Sequence, residues 1–363
     1  MGGSIQLGRI LGIPLRVHFT FLLLLAFFGY LGYRDGDAVG AVWSILFICA
    51  LFGCVILHEL SHSMVARYYG VEVESITLLP IGGVAAMKEM PRAPVQEGVM
   101  AIAGPIASMA IAAVFAGIIA VTGSLGPIVF QGQPLFGALM WTNIIIAIVN
   151  LIPAFPMDGG RVLRAVLAHY LGLVRATRVA VTLGQILAVG IALGGVFILG
   201  NLWLGLIGVF IFLGAGQEGR QVQTQALLAS VTARQAMVQG FATLNRHWTI
   251  GATLAYIGQG YQRDFPVVDE LTIVGIASRD ALVNAYHQLG PDRLVGEVMS
   301  TAICQVTPEA NMADVYRQMP PGACRVLLVL EGGAVIGLVT PDSIQERLVA
   351  ASSGHLPPPA RTV

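Results

Sequence analysis

The sequence predicts a polytopic α-helical membrane protein of about six transmembrane helices with a re-entrant β-hairpin loop, followed by a soluble, cytoplasmic α/β region built as a tandem pair. Three observations carry this expectation. Hydrophobic residues make up 56% of the 363 and charged residues only 11%, against about a quarter charged in ordinary soluble proteins. Charge is also segregated, since runs such as 101–123 and 179–200 hold almost none while 218–350 has the mixed composition of a domain in water. From about residue 230 the chain repeats itself at an offset of 62 residues: Met237 matches Met299, Gly275 matches Gly337, Ser278 matches Thr340 and Asp280 matches Asp342.

A helix needs about 20 apolar residues to cross a bilayer, which places spans near 17–33, 40–66, 98–122, 134–153, 177–199 and 202–217. The first is read as an anchor, because further long apolar runs follow it where a cleaved signal would be followed by a soluble domain. Arg9, Arg16, Arg67, Lys88, Arg92, Arg161, Arg164, Arg175, Arg178 and Arg220 fall on one side of these spans and only Arg34 among the opposite loops. The positive-inside rule then puts both termini in the cytoplasm of a multi-pass protein of the plasma membrane.

Between the second and third spans, residues 71–77 alternate like a strand, and Leu78-Leu79-Pro80-Ile81-Gly82-Gly83-Val84 is too broken to span. Non-helical backbone at membrane depth must be covered by protein or a water-filled cavity, so a re-entrant hairpin beside a polar site is expected; an ordinary cytoplasmic loop is the alternative. Each half of the C-terminal repeat reads as a helix, strands at 265–268 or 326–329, a short strand through Gly275 or Gly337, and a helix, and two such halves bury one shared core. The expected organisation is a membrane domain at 1–220, repeat halves at 221–290 and 291–350, and a disordered tail at 351–363. A formal net charge of zero without a Lys/Arg-rich run gives no footing for nucleic acid as a partner. Cys49, Cys54, Cys304 and Cys324 lack metal-site spacing and do not read as a disulfide framework, which fits a reducing compartment.

The second span contains His58-Glu59-Leu60-Ser61-His62. Positions four apart share a helix face, so both imidazoles can bind one zinc ion, and Glu59, turned away from the metal, can take a proton from a water there. This is the HExxH metalloprotease signature. A pair of buried histidines packing spans together, or a proton relay, is the bland reading. It sits poorly with a carboxylate that costs about 2.5–3.5 kcal/mol at mid-bilayer. Catalytic zinc keeps three protein ligands and one open position, and Asp158 is the best third candidate, in a segment where Pro153 and Pro156 end the fourth span and Gly159 and Gly160 allow close backbone approach. Alone, Asp158 reads as readily as the N-cap of a helix starting near Arg161. Asn150, just inside the fourth span, is either interhelical glue or a donor to a substrate carbonyl as charge develops there. His18, His169, His247, His287 and His355 are read as structural or solvated.

With these residues in view, the chain resembles the site-2 protease family of intramembrane metalloproteases. The match rests on the His58–His62 motif within a span, on Asn150 followed by Pro153, Pro156 and Asp158-Gly159, and on Pro80-Ile81-Gly82-Gly83, and it covers roughly 1–220. The resemblance implies that His58, His62 and Asp158 hold one zinc ion, that Glu59 activates water, that Asn150 positions or polarises substrate, and that the site lies on the cytoplasmic side. The strand edge at Ile81, Gly82, Gly83 and Val84 would pair with an unwound segment of a single-pass membrane protein, such as an anti-sigma factor or membrane-tethered regulator, within the lipid bilayer. The duplicated region is similar to a tandem pair of CBS domains, which implies regulation, a homodimer contact and an adenine nucleotide on Ser278, Asp280, Thr340 and Asp342. Here the Asp comes one residue early in both halves, which puts nucleotide binding in doubt. A CBS-regulated metal-ion transporter is the alternative function. Transport predicts polar positions spread along a path, whereas here they converge at one depth.

Overall fold

The computed structural model describes residues 3–80, 82–87, 93–123, 134–258, 260–270, 272–318, 324 and 326–352. Two compact units divide the chain, Met1–Arg220 and Gln221–Val363.

The first unit begins with a feature that periodicity alone did not reveal. Two short strands, β1 (Ser4–Ile10) and β2 (Ile13–His18), form an antiparallel hairpin ahead of the first helix. Helix α1 (Phe19–Tyr68) is capped at its start by His18, whose ring nitrogen accepts from the Thr20 amide, and is interrupted at Gly36 and Asp37, where the backbone leaves helical geometry. Its two arms pack closely because a side chain on Gly32 would strike Gly40 and Ser44. The segment after α1 is a hairpin of β3 (Val73–Leu79) and β4 (Gly82–Met87), with Leu78 opposite Gly83 and Leu79 opposite Gly82. β2 pairs parallel with β3, giving a four-stranded sheet in the order β1-β2-β3-β4 with β4 at one edge. One face of this sheet, through Ile13, Leu15, Val17, Ile76 and Leu78, is buried on Phe21, Phe47, Phe52 and Leu139.

Helices α2 (Pro94–Thr122), α3 (Leu135–Asn150), α4 (Asp158–Leu171), α5 (Leu173–Leu193, extended by a π-helical turn Gly194–Ile198) and α6 (Leu202–Ala229) follow. Four helical stretches are long and apolar enough to cross a membrane, α1, α2, Leu173–Ile198 and α6, and α3 is a shorter apolar helix. Ile106, Val114, Val121, Phe197 and Trp203 stand exposed along them. Apolar surface on all sides is what a helix solvated by lipid carries, since it satisfies its backbone internally. The chain is a multi-pass membrane protein. Helix α4, by contrast, is amphipathic, and it begins at Asp158, three residues before Arg161, near which the sequence allowed a helix to start.

In the second unit the repeat becomes visible as two sheets. The first half runs α7 (Ala233–Ala236), β5 (Leu244–Asn245), α8 (Ile250–Ile257), β6 (Asp264–Asp269), β7 (Thr272–Ser278) and α9 (Arg279–Leu289); the second runs α10 (Val295–Val298), β8 (Cys304–Val306), α11 (Met312–Gln318), β9 (Leu327–Glu331), β10 (Ala334–Val339) and α12 (Pro341–Ser352). Both sheets pair a first strand parallel and a last strand antiparallel to the middle one. The halves exchange segments: Val238 bridges Leu338, and Ser300 bridges Ile276. This explains the matched residues. Met237 packs where a side chain on Gly337 would sit, and Met299 does the same at Gly275.

Two expectations need correction. Cys304 and Cys324 are joined by a disulfide, their Cα atoms 6.0 Å apart; spacing in sequence does not report which cysteines meet in space. Residues 351–352, assigned to the disordered tail, belong to α12, and 353–363 lie outside the described residues.

Candidate metal centre

Helix geometry in the second arm of α1 puts His58 and His62 on one face, both buried, with their Nε2 atoms 3.2 Å apart. Asp158 reaches the same point from the first turn of α4, its Oδ2 lying 3.3 Å from His58 Nε2 and 3.2 Å from His62 Nε2. Met157 holds the N-cap position of α4, so Asp158 is the first helical residue and its carboxylate turns to the imidazoles. The close return of the chain before it depends on the paired glycines: side chains on Gly159 and Gly160 would strike the Leu151, Ile152 and Ala154 backbone.

Three donor atoms on edges of 3.2–3.3 Å match three corners of a tetrahedron whose bonds are about 2.0 Å, for which the edge is about 3.3 Å. The donor set of two imidazoles and one carboxylate suits zinc and leaves a fourth corner free. His58, His62 and Asp158 are the one such grouping of His, Cys, Asp or Glu among the described residues.

Helix α2 supplies what lies behind the rings. His62 Nδ1–H donates to the Met100 carbonyl at 2.7 Å, and His58 Nδ1 is 2.9 Å from Ser108 Oγ. With Nδ1 engaged in this way, Nε2 of each ring keeps its lone pair toward the shared point. Gly104 lies between these two partners, one turn from each, and a side chain there would overlap Nε2 of both histidines. These three residues were not identified from the sequence. They lie four residues apart on one face of α2, and nothing in that spacing marks a metal centre.

Glu59 is half-buried, and β4 crosses it closely enough that a side chain on Gly83 would lie 2.6 Å from Glu59 Cγ. The edge strand therefore runs beside the carboxylate. Gly82 and Val84 are on β4, Val84 exposed; Ile81 lies outside the described residues. Asn150 ends α3 with Nδ2 donating to Ile146 O at 3.0 Å, a bond within its own helix. In the second unit, Ser278 and Thr340 cap α9 and α12, accepting from the Ala281 and Ser343 amides, while Asp280 and Asp342 are exposed in the first turns and Asp342 faces Arg263 at 3.7 Å. The hydroxyls are already engaged in capping.

Two buried histidines and a half-buried aspartate, with a carboxylate beside them and apolar helices around them, suit a membrane-embedded metal-dependent hydrolase. The family model for Peptidase family M50 matches residues 46–133 and 117–193, and that for the CBS domain matches 295–350. Zinc metalloprotease MJ0392 of Methanocaldococcus jannaschii is 34% identical over 346 residues, 95% of this chain and 96% of that protein. Rip3 of Mycobacterium tuberculosis is 32% identical over 366 residues, 95% of this chain and 92% of the relative. The solved Site-2 Protease from Methanocaldococcus jannaschii is 40% identical and covers 60% of this chain and 95% of its own, with a TM-score of 0.47. The chain belongs to peptidase family M50, the site-2 proteases: it is an intramembrane zinc metalloprotease carrying a CBS domain.

Proposed function

We propose that His58, His62 and Asp158 hold one zinc ion, that Glu59 is the general base, and that Asn150 steadies the scissile carbonyl. The near-equilateral triangle of the three donor atoms is the observation that carries this reading. Zinc held by these three residues would supply a Lewis acid that favours hydroxide near neutral pH. Glu59 would accept a proton from the attacking water and return it to the leaving amide nitrogen, the general-base and general-acid roles open to a carboxylate beside the reacting carbonyl. Asn150 has two amide hydrogens; one is spent on Ile146, which fixes the group, and the other is available to the carbonyl oxygen as negative charge develops there. Asn150→Ala should keep its zinc and lose about 10²-fold in kcat, checked by metal analysis and steady-state cleavage of a purified transmembrane substrate.

The substrates are single-pass membrane proteins. A peptide bond inside a helix is shielded by its own hydrogen bonding, so cleavage needs an unwound segment, and an unpaired strand edge can hold one. Strand β4, at the edge of its sheet and in contact with Glu59, suits that task. Proline at Val84 would disturb the edge; each hydrogen bond lost is worth about 1 kcal/mol, so kcat/KM should fall about 5–30-fold with zinc content unchanged. A parental kcat/KM in Val84→Pro would remove β4 from substrate binding.

The membrane unit is assigned to 1–220, with six crossings, the two arms of α1 counting separately, both termini cytoplasmic and β3–β4 re-entrant. The two halves at 221–290 and 291–350 act as a regulatory pair and homodimer contact. An adenine nucleotide is the less favoured ligand of the pair, since it must compete with the caps at Ser278 and Thr340.

A further inference from the structure

The least expected polar group in the membrane unit is Arg164, 3% exposed, on α4 six residues beyond Asp158. Its Nε donates to Glu97 Oε1 at 2.8 Å and its Nη2 bonds the same oxygen, while Nη1 lies 3.1 Å from Glu218 Oε1. Its guanidinium lies over the Phe155 ring, 4.8 Å from the centroid. These partners come from three separate places. Glu97 is in the first turn of α2, three residues before the Met100 carbonyl that holds His62; Glu218 is on α6; and Phe155 is in the loop three residues before Asp158.

We propose that Arg164 is a positioning residue for Asp158, a clasp that fixes the register of α4 against the helix behind the histidines; this rests on the reading of Asp158 as a zinc ligand. Cohesion alone does not call for a charge here. Gly98 already lets α2 and α4 approach, its missing side chain falling 3.2 Å from Ala165 Cβ, and a buried ion pair is often no more stabilising than apolar residues of the same volume. What a guanidinium adds is direction, because its planar fork donates to carboxylates only along fixed lines. Apolar contacts permit α4 to slide along α2. The clasp does not, and a slide of about 1 Å would carry the Asp158 carboxylate off the imidazoles, a displacement that typically costs about 10²-fold in rate.

The test pairs Glu97→Gln/Arg164→Met, which removes charge of both signs, with Arg164→Lys, which keeps the charge and loses the fork. For each, zinc affinity is measured by chelator competition, kcat and KM at saturating zinc, and the thermal midpoint separately. The expected result is zinc binding weakened about 10–100-fold and kcat lowered with KM unchanged, whatever the midpoint does. Zinc binding within twofold of the parent, with parental kcat, in either folded variant overturns the proposal; if the double variant does not fold, Arg164→Lys decides by the same two readings. Asp158→Ala is measured in parallel. Should it keep parental zinc affinity, the ligand assignment itself fails, independently of Arg164.

Discussion

Glu59→Gln should retain one zinc ion per chain and lose about 10²–10⁴-fold in kcat, the range a positioned proton acceptor contributes. The substitution is nearly isosteric, so the contact of residue 59 with β4 at Gly83 survives, and the histidines and Asp158 are untouched. Only basicity is lost, because an amide does not take the proton from water at neutral pH. Cleavage of a model transmembrane substrate in detergent, with metal content measured on the same preparations, separates the outcomes. Zinc retained and cleavage lost identifies the base. Zinc retained and cleavage intact moves the proton acceptor elsewhere. Loss of both returns Glu59 to a role in assembling the site.

Gly104→Ala should lower bound zinc about as far as Asp158→Ala does, to a small fraction of one ion per chain. The added methyl falls on Nε2 of His58 and His62, the atoms that must face the metal. Helix α2 has little freedom to retreat, since the Met100 and Ser108 contacts hold it to the two rings and Glu97 binds it to Arg164. Alanine is also about 1 kcal/mol better than glycine within a helix, so α2 itself gains. Zinc loss in a chain whose thermal midpoint is unchanged or raised would separate an effect on the centre from one on the fold. Parental zinc content in Gly104→Ala would show that the rings swing aside and that the tight fit is not obligatory.

Much of the site was legible because its chemistry is local. His58, Glu59 and His62 lie within five residues on one helix, where 3.6-residue geometry alone fixes their mutual placement. Asp158 was a candidate with an even alternative, helix capping, until α4 was seen to begin at Asp158 itself with Met157 as its cap. Arg164 was counted only as one of many basic residues marking the cytoplasmic side. Its sequence environment carries no sign of Glu97, 67 residues away, or of Glu218. Strands β1 and β2 were missed because a short apolar alternation next to a long hydrophobic run looks like the beginning of that run.

The sequence by itself determined that this chain lives in a membrane, that its second span carries a histidine pair on one helix face with a carboxylate beside it, and that its C-terminal part is duplicated. Composition, short-range periodicity and the repeat at an offset of 62 residues hold that information. Only the tertiary structure decided which carboxylate completes the triangle, which helix backs the rings, which strand edge passes Glu59, and why Met237 and Gly337 recur as Met299 and Gly275. Each of these is a contact between residues distant in the chain, and such contacts are set by how helices and strands pack against one another, which no local pattern records.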